Sequence, residues 1–97
     1  MIETRKHIIC IEFCTQCRWM LRATWMGQEL LQTFDREITE LRLKPSNGGI
    51  FRIYANDNII WDRKLDEGFP EITTLKQRVR DQIAPDKSLG HIDRPKK

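Results

Sequence analysis

Ninety-seven residues are enough for one domain with a single modest core and too few for two. The 39% hydrophobic and 32% charged fractions are those of a soluble globular protein, and seventeen basic against fourteen acidic residues leave a formal charge of +3. That excess, part of it in the last few residues, is too weak for a nucleic-acid surface, which needs basic side chains gathered on one face. The three cysteines, an odd count, argue against a secreted disulfide framework and fit a reduced cytosolic setting.

The opening Met1-Ile-Glu-Thr-Arg-Lys-His7 leads into an apolar run that Glu12 interrupts, so neither a signal peptide nor a membrane span is expected. His7 to Phe13 is rich in isoleucine and nearly continuous in apolar character, which predicts a central strand covered on both faces. Thr15 to Phe34 then reads as one long helix, with Met20, Ala23, Gly27, Leu30 or Leu31, and Phe34 as its buried stripe. Ile38 to Leu43 is a short alternating strand. Strand, long helix and strand in this order predict a right-handed parallel βαβ unit.

Lys44-Pro-Ser-Asn-Gly-Gly49 is a turn cluster. Ile50 to Ala55 is the next strand, with Phe51, Ile53 and Ala55 on one face and Arg52 and Tyr54 on the other. Asn56-Asp57-Asn58 tolerates positive φ and predicts a tight hairpin to Ile59–Asp62. A charged connector, Arg63 to Gly68, leads to a second helix in which Ile72, Leu75, Val79 and Ile83 carry the period. Thr74 and Gln77 are spaced as a capping box, and Pro85 stops the helix. The fold class is α/β in the α+β sense, a minimal thioredoxin-like β-α-β-β-β-α chain. Residues 1–84 make the domain and 85–97 a polar, mobile tail.

Cys14 and Cys17 carry the chemistry. A Cys-x-x-Cys on a strand–helix junction is the signal of a thioredoxin-like redox motif. With the helix starting at Thr15, the Cys14 sulfur falls at its N-terminus, where free N–H groups and the macrodipole favour a thiolate. The thiolate is the nucleophile of disulfide exchange, and the second cysteine resolves the mixed disulfide. On this reading Cys14 is the more exposed sulfur and attacks, and Cys17, one turn into the helix, is shielded.

Phe13-Cys-Thr-Gln-Cys-Arg-Trp19, Trp25-Met-Gly-Gln-Glu-Leu-Leu31, Gly48-Gly-Ile-Phe51, Ile59-Ile-Trp-Asp-Arg-Lys64 and Gly68-Phe-Pro70 together resemble the selenoprotein W/T/H-like proteins, the Rdx family. Leu75-Lys-Gln followed by Val79-Arg-Asp81 completes the resemblance, which covers nearly the whole chain. It implies a thioredoxin-like fold and thiol redox chemistry, with glutathione as one candidate thiol. Selenocysteine, where the family has it, occupies the position of Cys17, so this chain resembles the selenium-free bacterial members. That position points to Cys17 as the nucleophile, against the electrostatic argument for Cys14. No proline stands immediately before the Ile50 strand, where thioredoxin keeps a cis-proline, and Pro45 is several residues too early.

Competing readings are weighed on the same residues. Half of a structural zinc site would need two further ligands, and the chain offers only Cys10, His7 and His91 unless two copies share their motifs. Cys10, on a buried strand, reads as a small hydrophobe with a raised thiol pKa. Trp19 reads as packing at the edge of the motif. Arg18 and Arg22 read as a solvated helix face, or as cations that steady a thiolate or attract an anionic thiol. The expectation is a cytoplasmic thiol–disulfide redox protein with no bound cofactor. Its partners would be protein or small-molecule thiols, with no nucleic acid and no membrane. A redox-responsive binding module without turnover and a zinc-stabilised interaction domain are the alternatives, and the oligomeric state is open.

Overall fold

The computed structural model describes residues 7–93. Strand β1 (His7–Cys14) leads through a turn to helix α1 (Met20–Thr33), and β2 (Ile38–Ser46), β3 (Phe51–Ala55) and β4 (Asn58–Asp62) follow. Helix α2 (Ile72–Ile83) and a short 3-10 turn at Gly90–Asp93 complete the chain. The sheet order is β2-β1-β3-β4, with β1 and β2 parallel and the other neighbours antiparallel. This is the β-α-β-β-β-α arrangement expected of a small thioredoxin-like fold. Among the described residues, no helix is long and apolar enough to cross a membrane.

The period-two pattern of β1 sets the core. Ile9, Ile11 and Phe13 share one face with Phe51, Ile53 and Ala55 of β3, and all six are buried. Helices α1 and α2 pack against the sheet and each other and close this core with Ala23, Met26, Leu30, Phe34, Leu75, Val79 and Ile83. Gly27 lets α1 approach β2 closely, since a Cβ there would lie 2.6 Å from Leu41 Cδ2. Lys76 bridges the helices through Glu29 at 3.0 Å. The three fully buried phenylalanines, Phe13, Phe34 and Phe51, each contribute about 1.5–3 kcal/mol by leaving water.

Several expectations are corrected. Among the described residues, no helix covers the second face of β1: Ile8 and Cys10 are half-buried there, and Glu12 is sequestered by the Tyr54 hydroxyl, which donates to its Oε1 at 2.8 Å. Strand β2 runs on through Pro45 to Ser46, because an edge strand tolerates a missing N–H. In β4 the residue Ile60 is an added residue between the Tyr54–Ile59 and Ile53–Trp61 pairs, and this bulge lets Ile60 and Trp61 both be buried. The Trp61 indole then donates to the Gly68 carbonyl at 2.9 Å, and the Arg78 guanidinium lies 4.3 Å from its ring centroid. The Thr74–Gln77 capping box does not form, because α2 begins two residues before Thr74, at Ile72.

Gln77 instead reaches the segment after Pro85, read from sequence as mobile. Its amide donates to the Ile92 carbonyl at 3.0 Å, Arg80 pairs with Asp93 at 2.7 Å, and Leu89 packs against the core. The expectation for Pro95, Lys96 and Lys97 lies outside the described residues, as does that for residues 1–6.

The Arg80 guanidinium, with the Leu89 amide, holds the Asp93 carboxyl down from its ordinary 3.8 to about 2. A depressed carboxyl contributes stability above its unfolded pKa and loses it as pH falls through the folded one. Asp93→Asn should therefore lower Tm at pH 7, with the difference from the parent protein closing between about pH 4 and pH 2. Thermal melts across that range check this; an equal Tm at pH 7 would show that the pair does not anchor the segment.

Candidate redox site

The site is built at the end of the central strand. Cys14 is the last residue of β1, where the strand is still paired with β2 at Ser46. Its amide donates to the Ile50 carbonyl at 2.8 Å, and the next amide, Thr15, donates to the Ser46 carbonyl at 3.1 Å. These bonds prolong the extended chain past the point where a helix was expected. Residues 15–18 then close a turn, the Arg18 amide bonding the Thr15 carbonyl at 3.0 Å, and Arg18 takes φ 61°. Such a conformation cannot continue a right-handed helix. Helix α1 therefore starts at Met20, five residues later than expected, with Trp19 as its N-cap residue.

This shift takes Cys14 away from the helix start and leaves Cys17 the nearer of the two to it in sequence. The helix dipole acts within about one turn of the helix end. Cys17 lies two residues before the N-cap, whereas Cys14 belongs to the strand. The expected exposures are also reversed: Cys14 is 1% exposed and Cys17 is half-buried. The two sulfurs nevertheless meet. The pair lies near disulfide distance, with a Cα–Cα separation of 5.4 Å, inside the range that a disulfide bridges.

Beneath the turn lies a packed aromatic trio. The Trp19 ring meets Phe69 edge-on at 4.9 Å and Phe51 at 6.2 Å, and Phe51 meets Phe69 at 5.0 Å. Arg22 lies 4.0 Å from the Phe69 centroid and Arg63 lies 5.0 Å from that of Trp19. Arg22 is thus a stacking cation, whereas Arg18 is exposed in the turn, neither of them on a purely solvated helix face. Met20, expected in the buried stripe, is 60% exposed beside the turn.

A second loop faces this one. Gly48 and Gly49 take φ 68° and 73°, values that glycine adopts without strain. Arg63 donates twice to the Gly49 carbonyl, from Nε at 3.2 Å and Nη2 at 3.0 Å, and Lys64 Nζ donates to the Gly48 carbonyl at 3.1 Å. The clamp thereby fixes the segment whose Ile50 carbonyl receives the Cys14 amide. Neighbouring Asp62 is pushed up by burial. The Lys64 amide and the Arg52 guanidinium outweigh this and hold it below the ordinary carboxylate range. The glycine pair was legible as a turn, but its link to Arg63 and Lys64 was missed, since it depends on the β3–β4 hairpin.

Cys10 is a free thiol on the helix-free face, level with Arg42 and Tyr54 across the sheet. Burial pushes its pKa up, as expected of a thiol that packs. It lies four residues before Cys14 on β1, outside the turn that holds the pair. Among the described residues, no three His, Cys, Asp or Glu side chains gather to hold a metal ion.

Arg63→Met should free the glycine loop and raise the hydrogen-exchange rate of the Cys14 amide about tenfold, the loss of roughly 1.4 kcal/mol of local protection. Amide exchange read by NMR checks this. An unchanged rate would show that the strand pairing alone holds Cys14.

The comparisons with known proteins agree with this architecture. The model of the Rdx family matches residues 8–81. The chain is similar to a crystal structure of a Bordetella parapertussis protein, 55% identical, covering 79% of this chain and 98% of that one at a TM-score of 0.78. It is also similar to a selenoprotein W-related protein from Vibrio cholerae, 52% identical, covering 80% of this chain and 98% of that one at a TM-score of 0.79. No curated protein matches the chain. The match runs from the strand that carries Cys14 to the last turns of α2, and the chain belongs to the Rdx family.

Proposed function

We propose that the chain is a thiol–disulfide redox protein that exchanges electrons with protein or small-molecule thiols, glutathione among them, through Cys14 and Cys17. The observation that carries this reading is the asymmetry of the close pair: Cys14 is buried at the strand end and Cys17 is half-buried in the turn. In the reduced protein the Cys17 thiolate attacks a substrate disulfide, forming a mixed disulfide and releasing one substrate thiolate. Cys14 then loses its proton to solvent and attacks the Cys17 sulfur, which releases the second thiolate and leaves the Cys14–Cys17 disulfide. Two electrons pass from the pair to the substrate. Only an accessible sulfur can enter the mixed disulfide, and a shielded neighbour within reach resolves it without meeting the substrate. This assignment replaces the expectation that Cys14 attacks, and it agrees with the position that selenocysteine takes in the family. Such chemistry suits a reducing cytoplasm, where a dithiol is maintained.

Iodoacetamide alkylation against pH, with Cys10 replaced by serine throughout, tests the assignment. In the Cys14→Ser protein, Cys17 should react at least about tenfold faster at pH 7 than Cys14 does in the Cys17→Ser protein. Cys17 should also show the lower thiol pKa. A faster Cys14 would restore the opposite order of attack.

A further inference from the structure

The seam between α1 and β2 holds two successive depressions. The first, about 370 Å³, opens beside the redox turn and is lined by Phe13, Thr15, Arg18, Met20, Leu21 and Pro45. The second, about 620 Å³, continues away from it between Thr24, Gln28, Leu31 and Asp35 on one wall and Leu41 and Leu43 on the other. Both walls are continuous. Leu21 and Thr24 are neighbours on the helix surface, and Leu41, Leu43 and Pro45 project from the same face of β2. Leu21 is 84% exposed on the α1 wall, and Leu31 and Leu43 are each 41% exposed. Apolar side chains so exposed along one line mark a contact surface.

Charge selects the occupant. The lining carries one cation, Arg18, at the redox end, and one carboxylate, Asp35, at the far end. Everything between is apolar or neutral. The 14 residues of α1 rise about 21 Å at ~1.5 Å each, the span of roughly six residues of extended chain. Pro45 has no N–H to offer beside the redox turn, so the occupant is gripped there by side chains and not by strand addition. Glutathione is too short to reach Asp35 and has no apolar side chain for Leu21 and Leu43.

We infer that the α1–β2 seam is the docking groove for a protein substrate of the redox pair. The occupant is an extended segment with a carboxylate next to its reactive cysteine, about four apolar or neutral residues, and a cation at the far end. This inference rests on the exchange reading above and names the substrate class for it. The chemistry is unchanged: the Cys17 thiolate displaces one thiolate of the substrate disulfide, Cys14 displaces the other, and two electrons leave the protein.

The test uses the reduced full chain, freed of reductant, and two probes. One is a synthetic peptide with a cysteine, an aspartate, four apolar residues and a lysine, made in both sequence directions and supplied as its homodimeric disulfide. The other is oxidised glutathione. In one direction the peptide should oxidise the protein about tenfold faster than glutathione does. Leu21→Gln and Asp35→Lys should each remove most of that advantage and leave the glutathione rate unchanged; both positions are exposed, so the fold should tolerate them. Equal rates for both probes, unmoved by either variant, would overturn the groove while leaving the exchange reading intact. Faster glutathione oxidation, slowed by Leu21→Gln, would make glutathione the occupant and overturn it too. A dimer in light scattering that Leu21→Gln disperses, with equal probe rates, would assign the seam to a second copy. Failure of every probe to oxidise Cys14 and Cys17 would remove the exchange reading itself, and the groove with it.

Discussion

The hydrogen bonds that hold Cys14 in the sheet are the constraint on which the site depends. Through the Ile50 and Ser46 carbonyls, β1 stays extended as far as Thr15, and the turn must then fit between that point and Met20. The turn is therefore short and sharp, with Arg18 at positive φ. One cysteine is left inside the sheet and the other outside it. A helix started at Thr15 would instead have put Cys14 at its N-terminus and Cys17 in its first turn. The difference between the two sulfurs thus comes from backbone pairing with β2 and β3, remote in sequence, and not from the motif.

The same pairing explains why this part of the molecule is so heavily braced. The bonds to Cys14 and Thr15 require the segment 46–50 to hold still, yet it contains two adjacent glycines. Arg63 and Lys64 restrain it from the end of β4, and Arg63 also lies over Trp19, which packs on Phe51 and Phe69. Cation, indole and glycine carbonyl form one connected unit around the redox turn. The cis-proline of thioredoxin has no counterpart, since no peptide bond in the described residues is cis. A glycine loop clamped by two cations stands in the place where that proline would be sought.

Much of the fold was legible because its pattern is local. Phe51, Ile53 and Ala55 alternate, and Leu75, Val79 and Ile83 recur at helical steps, so β3 and α2 declare themselves. The Cys14–Cys17 pair was legible for the same reason. What escaped was set by partners far along the chain. Thr15-Gln-Cys-Arg18 is compatible with a helix, and the Ile50 and Ser46 carbonyls, remote in sequence, hold its start extended so that it closes as a turn. Nothing around Ile60 announces a bulge, which arises from its register against Ile53 and Tyr54. Asp93 looks like a solvated tail residue until Arg80 is brought beside it. The burial of Cys14 belongs to this group too, so the motif alone does not tell which of its two sulfurs faces outward.

The central claim is that Cys14 and Cys17 form a reversible couple in which Cys17 meets the partner. Equilibration of the protein in glutathione buffers of graded potential, followed by mass mapping, tests it most directly. The account predicts a two-proton mass change confined to this pair and, in the Cys14→Ser protein, a mixed disulfide with glutathione on Cys17. Thiols that stay reduced at both positions across the whole range would contradict it.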